Sequence, residues 1–367
     1  MKIKTITCHE VYNYGASLQE YALIKYLELL GHETEAIYYK PDYLSNHLNI
    51  WRVPNVSFKT PIIKHLYLLL KLPSRIGELK KKKAFDIFSE KYIKTGDVLY
   101  KSNEELKENV PLADVYICGS DQIWNSFFQN GKDPAFYLDF APNDKLKISY
   151  AASFAIDEIE EDLKAFVKEK IKRLNSVSVR ETSGVDILKQ LEINATQVLD
   201  PVFLFNKEYW NDSFVFPIND KFILIYDFDS NSLIQKLALK LAKENGLKIF
   251  AVNKNIKYAD SNFWQKGPEY FLSLVANAEL IISNSFHAVA FSLIFNKQFL
   301  VVNRKEKINT RMRDLLALFG ISNLLLNDEN DTKNLTTKPI NSYNSINNKM
   351  HDAIVKSKRF LKDAISS

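Results

Sequence analysis

Residues 1–31 read MKIKTITCHEVYNYGASLQEYALIKYLELLG. A short apolar run, Ile3 to Cys8, gives way to the turn VYNYGASLQ (11–19). A helical pattern follows, with Leu23, Leu27 and Leu30 at helical spacing and Gly31 as its stop. Strand, turn and helix in this order is the layout of a nucleotide-binding turn. A dinucleotide fingerprint would place three glycines here, however, and only Gly15 is present. The helix start can still attract an anion, because its free backbone N–H groups point outward. Asn13, Tyr14, Gly15 and Gln19 are therefore candidate binding residues, with Asn13 and Gln19 as hydrogen-bonding side chains for hydroxyls beside an anion.

The same alternation continues outward from this unit. Candidate strands lie at 34–39, 114–119, 147–153 and 176–180, with a further short one at 197–201. Residues 42–75 read as irregular and a charged helix follows at about 75–92, making 42–92 an excursion from the alternating pattern. A second series begins after Asp200-Pro201: strand KFILIYDF (221–228), an amphipathic helix, strand LKIFAVN, then strand, turn, helix and strand in AELIISNSFHAVAFSLIFNKQFLVVN. The Asn-rich stretch near 324–348 is loop-like, and a last helix at about 345–364 is expected to cross back to the first unit. The expected fold class is α/β, with two Rossmann-like domains, 1–200 and 201–367, facing each other.

Composition limits the function. Of 367 residues, 46% are hydrophobic and 25% charged, as in a soluble enzyme, and a net charge of +5 is mild. No interleaving of basic and aromatic residues marks a nucleic-acid binder. The two cysteines, Cys8 and Cys118, end apolar runs and read as buried, reduced thiols; no clustered Cys/His spacing suggests a metal. The start of the sequence lacks the pattern of a signal peptide, so the expected location is cytoplasmic. Lys80 to Lys83 follow the apolar run PIIKHLYLLLKLP (61–73), which is too short to cross a bilayer. It could lie on an anionic membrane surface, or pack as a helix on its own domain.

Ligands of parallel sheets gather at the carboxyl ends of strands, which directs attention to four further turns. In CGSDQIWN (118–125), Gly119 permits a tight exit, Ser120, Asp121 and Gln122 offer donors and acceptors, and Trp124 offers a stacking surface for a sugar. Asp121 is either a base for a hydroxyl or a helix cap. In SVSVRETSG, Arg180 could grip a carboxylate or phosphate, or pair with Glu181. In ISNSFHAVAF, Asn284, Ser285, Phe286 and His287 crowd a helix start, where His287 could donate to phosphate or act as an acid. The turn SYAASFA contributes Ser153, whose small neighbours permit close approach. Arg311, in NTRMRDLL, could reach an anion. These residues suit a small, doubly anionic ligand without metal or cofactor.

The ordered set YNYGASLQEYAL, GSDQIWN, FYLDF, ISYAASF, SVRE, VLDPVFL and SNSFHAVAFSLIF resembles the polysaccharide pyruvyl transferase family from about residue 1 to about 320. The resemblance implies a frame like that of two-domain GT-B glycosyltransferases. It also implies transfer of pyruvate from phosphoenolpyruvate onto two hydroxyls of a sugar in surface polysaccharide synthesis, forming a cyclic ketal. On that basis His287 is the expected acid or phosphate donor, Arg180 the donor-binding cation and Asp121 the base. The expected acceptor is a sugar, lipid-linked in one variant, with the enzyme then at the inner membrane face. Two family glycines are replaced, by Ala288 and Ala155, each adding a methyl where a backbone nears the ligand. The alternative on the same frame is a glycosyltransferase using a nucleotide sugar, for which Glu269 is the nearest ribose-binding acid. A third reading is a non-catalytic scaffold, which the presence of His287 and Arg180 disfavours.

Overall fold

The computed structural model describes residues 1–45, 61–306, 309–332 and 335–367. Runs such as VYIC, FILIY and LIIS are buried at every position, as strands covered on both faces must be. They build two parallel sheets. The first holds β1 (Lys2–Ile6), β2 (Glu33–Ala36), β3 (Val115–Cys118), β4 (Leu146–Ala152), β5 (Ser176–Val179) and β6 (Thr196–Gln197), in the order β2-β1-β3-β4-β5-β6. The second holds β7 (Phe222–Tyr226), β8 (Lys248–Val252), β9 (Ser261–Asn262), β10 (Leu280–Ser283), β11 (Phe299–Val302) and β12 (Leu325–Leu326), in the order β12-β11-β10-β7-β8-β9. The fold is α/β with two Rossmann-like units.

Strand order reverses direction between β1 and β3 in the first sheet, and between β7 and β10 in the second. A crevice opens at such a switch point, because the connections on either side leave toward opposite faces. The turns after β1, β3 and β10 are therefore placed for ligand binding by topology.

Three local expectations are corrected. The stretch 197–201 is strand only as far as Gln197; Asp200 then caps a short 3₁₀ turn, its Oδ1 accepting from Val202 N–H at 3.1 Å. The Asn-rich stretch contains the edge strand β12, with Leu326 buried. The charged helix spans Pro61–Tyr92 rather than 75–92. Pro73 lies inside it, for a proline removes one ladder hydrogen bond and a long helix survives the loss. Of the excursion, residues 46–60 lie outside the described residues.

The lysine run does not face solvent as a block. Lys81 Nζ lies over the Tyr14 and Phe85 rings, both at 5.7 Å, and Lys82 pairs with Asp86 and lies over Tyr12; Lys80 and Lys83 are exposed. No helix among the described residues is long and apolar enough to cross a membrane.

One apolar cluster runs through both sheets. The first helix, Tyr14–Leu29, is buried nearly all round at its start, and Tyr14 stacks on Phe271 (5.1 Å) and meets Tyr226 edge-on (5.8 Å). Phe88 and Tyr92 of the long helix pack on Phe214, which leads into the second sheet. The last helix, Asn344–Ser366, returns to the first sheet, where Ser357 Oγ accepts from Leu199 N–H at 2.9 Å.

Candidate functional site

A cavity of about 280 Å³ lies where the strand-end turns meet. Asn13, from the turn after β1, forms part of its wall and caps the first helix, accepting from Gly15 and Ala16 N–H (2.9 and 3.3 Å). Asp121 and Gln122 enter from the turn after β3, Asp121 at the left-handed φ of 69°. From the turn after β10 come Ser285, which caps the helix Phe286–Ile294, together with Phe286 and His287. Arg311 comes from the helix Thr310–Phe319.

The electrostatics centre on two buried arginines. The Arg180 and Arg311 guanidinium groups lie 4.3 and 5.7 Å from the Phe286 ring centre. Asp121 Oδ1 is 3.5 Å from Arg180 Nη2 and 3.4 Å from Arg311 Nη1, long contacts for an ion pair. Burial alone would raise the Asp121 pKa, but the charges of Arg180 and Arg311 outweigh it and hold the carboxyl below its ordinary value. Burial and the neighbouring Arg180 charge lower Arg311 to about 10. The Gln122 amide oxygen, in the orientation that satisfies the arginine, accepts from Arg311 Nη1 and Nη2 at 2.8 and 2.6 Å. Arg311 Nε and Arg180 Nε are buried donors without a hydrogen-bond partner among the described residues.

Behind this wall lies Asp200. Its Oδ2 accepts from Arg180 Nη1 at 2.7 Å and from Ser120 Oγ at 3.2 Å, and stands 3.4 Å from His287 Nε2 without hydrogen-bond geometry. Burial works to raise its pKa, yet His287 and Arg180 hold it far below the carboxylate range.

Several expected ligand-binding side chains have other partners. Arg180 does not reach the cavity wall; it is locked to Asp200, and the Arg180 charge is kept by Asp200 and Asp121 against the effect of burial. Trp124 is fully buried, stacks on Tyr137 (5.5 Å) and donates to the Phe136 carbonyl, so it offers no face to a sugar. Gln19 is spent on the turns: its Oε1 accepts from Ser120 N–H, and its Nε2 donates to Thr7 Oγ1 and the Ala16 carbonyl. Tyr14 belongs to the core, its hydroxyl donating to the Lys266 carbonyl. Glu181 Oε1 accepts from Ser153 Oγ, Phe154 N–H and Ala155 N–H, which ties down Ser153 too. Burial raises the Glu181 pKa despite nearby Arg180. Asn284 bridges Phe228 N–H and Asp227. Gly119 and Ser120 shape the turn, the Ser120 hydroxyl also contacting the Ala151 carbonyl at 2.8 Å. Gly15 faces His287 rather than a ligand. Ala155 and Ala288 are fully buried and do not line this cavity.

Four lining residues were not anticipated: Phe128, Phe228, Arg304 and Glu306. Arg304 pairs with Glu306 (2.6 Å) and lies over the Phe228 ring. The β7 turn, ending YDFD, carried an aromatic and acids that could have drawn attention to Phe228. Glu269, the candidate ribose-binding acid, sits in the first turn of the helix Pro268–Asn277 and does not line this cavity.

Two facing Rossmann-like sheets, with strand-end turns converging on an arginine-walled cavity, define a GT-B-like α/β protein. The pattern of the polysaccharide pyruvyl transferase family is matched by residues 13–306, and the chain belongs to that family of transferases of polysaccharide biosynthesis. Among solved structures, a candidate UDP-N-acetylglucosamine 2-epimerase of Listeria monocytogenes is similar at a TM-score of 0.51 with 9% identity, over 98% of this chain and 89% of that one. A glycosyltransferase of Rickettsia africae is similar at a TM-score of 0.45 with 12% identity, over 99% and 98% of the two chains. At such identities the likeness concerns the fold alone. None of the curated proteins matches the sequence.

Proposed function

We propose that the protein transfers pyruvate from phosphoenolpyruvate to two hydroxyls of one sugar, closing a cyclic ketal. The observation that carries this reading, beside the family, is the buried pair Arg180 and Arg311. Burial, and after it the neighbouring Arg180 charge, lowers Arg311, whose carboxylate contact with Asp121 is a long one of 3.4 Å. A compact dianion at the cavity wall gives Arg311 a closer counter-charge than Asp121 does.

In this mechanism Arg311 holds the donor, while Arg180 acts from behind, fixing Asp200 and Phe286. His287 gives a proton to the methylene carbon of the enol phosphate, leaving an oxocarbenium-like centre at C2. The first sugar hydroxyl attacks C2 and passes its proton to Asp121. The second hydroxyl attacks C2, the C2–O bond to phosphate breaks, and the ketal closes. Of the two hydroxyl protons, one ends in net on the new methyl group and the other leaves with phosphate. Donor binding draws Arg311 from Asp121, which raises the basicity of its carboxylate at the moment a base is required. With a lipid-linked acceptor, the enzyme would work at the inner membrane face, with Lys80 and Lys83 as its exposed cations.

The test is thermal unfolding with phosphoenolpyruvate and, separately, with nucleotide sugars. Phosphoenolpyruvate at a hundred times its dissociation constant adds about 2.7 kcal/mol. That gain should vanish in Arg311→Ala. A gain with a nucleotide sugar alone would transfer the protein to the glycosyltransferase reading.

A further inference from the structure

The burial of Trp124 leaves the turn after β3 without its expected sugar platform, and a second cavity supplies another. It measures about 340 Å³ and shares Asn13, Asp121, Gln122 and Phe128 with the arginine-walled cavity. Its own walls are Cys8, Val11, Tyr43, Leu44, Gln129 and Asn130. Among its described lining residues there is no lysine, arginine or histidine, and Asp121 is the one charged group. The two cavities thus differ in kind: the wall of one carries Arg304 and Arg311 with acids beside them, and that of the other is mainly aromatic and amide.

The aromatic surface is exposed and held. Phe128 is 44% and Tyr43 41% exposed, so both rings on this cavity wall are open to solvent. The segment carrying Phe128 is pinned, since Asn125 Oδ1 accepts from Phe127 N–H (3.0 Å) and the Asn125 carbonyl from Phe128 N–H (3.1 Å). The Tyr43 hydroxyl donates to Asp133 Oδ2 at 2.5 Å, and Asn130 Nδ2 to the Gln122 carbonyl. A flat apolar ring beside fixed amides fits a molecule with one C–H face and many hydroxyls.

We propose that this second cavity is the acceptor subsite, and that it takes a neutral pyranose whose apolar face lies on Phe128, with Gln129 and Asn130 at its hydroxyls. Asp121, on the shared wall, is where an acceptor hydroxyl meets the donor. The assignment rests on the pyruvyl-transfer reading for the identity of the donor, but pyranose binding itself does not.

The experiment titrates methyl β-D-gluco-, galacto- and mannopyranosides into the purified protein and follows binding by saturation-transfer NMR. At least one should bind the wild type, weaken about tenfold or more in Phe128→Ala through loss of apolar contact, and be restored in Phe128→Tyr. Absence of binding to the wild type, or equal affinity in Phe128→Ala, overturns the subsite. Thermal melting of each variant separates loss of binding from loss of fold. Phosphoenolpyruvate titrated into wild type and Arg311→Ala reports on the donor separately. If it binds neither while a pyranoside binds through Phe128, the donor reading falls and the subsite stands.

Discussion

The His287 imidazole occupies the space in which Gly15 would carry a side chain: a Cβ on Gly15 would lie 1.8 Å from His287 Nδ1 and 2.1 Å from its Cγ. The single glycine of the first turn therefore admits a side chain of the second sheet, not a pyrophosphate. Two motifs separated by some 270 residues of sequence are one interlocked contact.

This contact predicts a compensating pair. Gly15→Ala should displace His287, costing about 1–3 kcal/mol by overpacking and most of the activity. Adding His287→Ala should return the stability while leaving the enzyme inactive. Urea unfolding of the two single variants and the double variant measures the coupling; additive losses would argue against the interlock.

Asp200 predicts a stability effect larger than its distance from the ligand suggests. Asp200→Asn removes the carboxylate that Arg180 Nη1 meets at 2.7 Å, within a site shut from solvent. A buried cation deprived of its partner costs about 3–5 kcal/mol. Chemical denaturation should show that loss, and Arg180→Met in the same chain should recover part of it.

For Asp121 the prediction concerns pH. A base must be ionised, and the arginines hold this carboxyl below its ordinary value. The acid limb of kcat/KM should therefore fall below about pH 4, the usual aspartate range. Asp121→Asn should lower turnover by about 10²–10⁴-fold. An acid limb near pH 6 that survives in this variant would assign the base elsewhere.

His9 lies under the same turn, fully enclosed, with Nδ1 2.8 Å from Glu20 Oε1 and Nε2 3.6 Å from Glu10 Oε1. Burial by itself would discharge the ring, but Glu20 and then Glu10 reverse this and raise it from 6.5 to about 10. A raised pKa gives stability that is complete below about pH 6.5 and lost as pH climbs through 10. The stability difference between wild type and His9→Gln should shrink across that window, at no more than about 1.4 kcal/mol per pH unit. A difference constant from pH 6 to 10 would mean the ring is neutral.

The two parallel sheets and the turns at their strand ends were legible because apolar runs and helical periodicity are local properties. Asp121, Ser285, His287 and Arg311 were legible for the same reason, lying at or near turns where topology gathers ligands. Depth was not legible. Arg180 ends a strand just as Asp121 follows one, yet Asp200 draws it under the wall, and the motif VLDPVFL that contains Asp200 gave no sign of that pairing. Trp124 stands three residues from Asp121, but the left-handed turn at Asp121 sends its indole beneath Tyr137, and Phe128 reaches the opening instead. Residues 42–75 read as irregular because local rules do not weigh the 32-residue helix that contains Pro73.

Tyr14, seated between Phe271 and Tyr226, makes the first helix a tenant of both halves at once. A hydrophobic seam of that kind opposes parting of the two halves, so a jaw-like opening would have to expose Tyr14 to water. Heated, such a molecule has no half to lose first, and its thermal unfolding should show one transition rather than two.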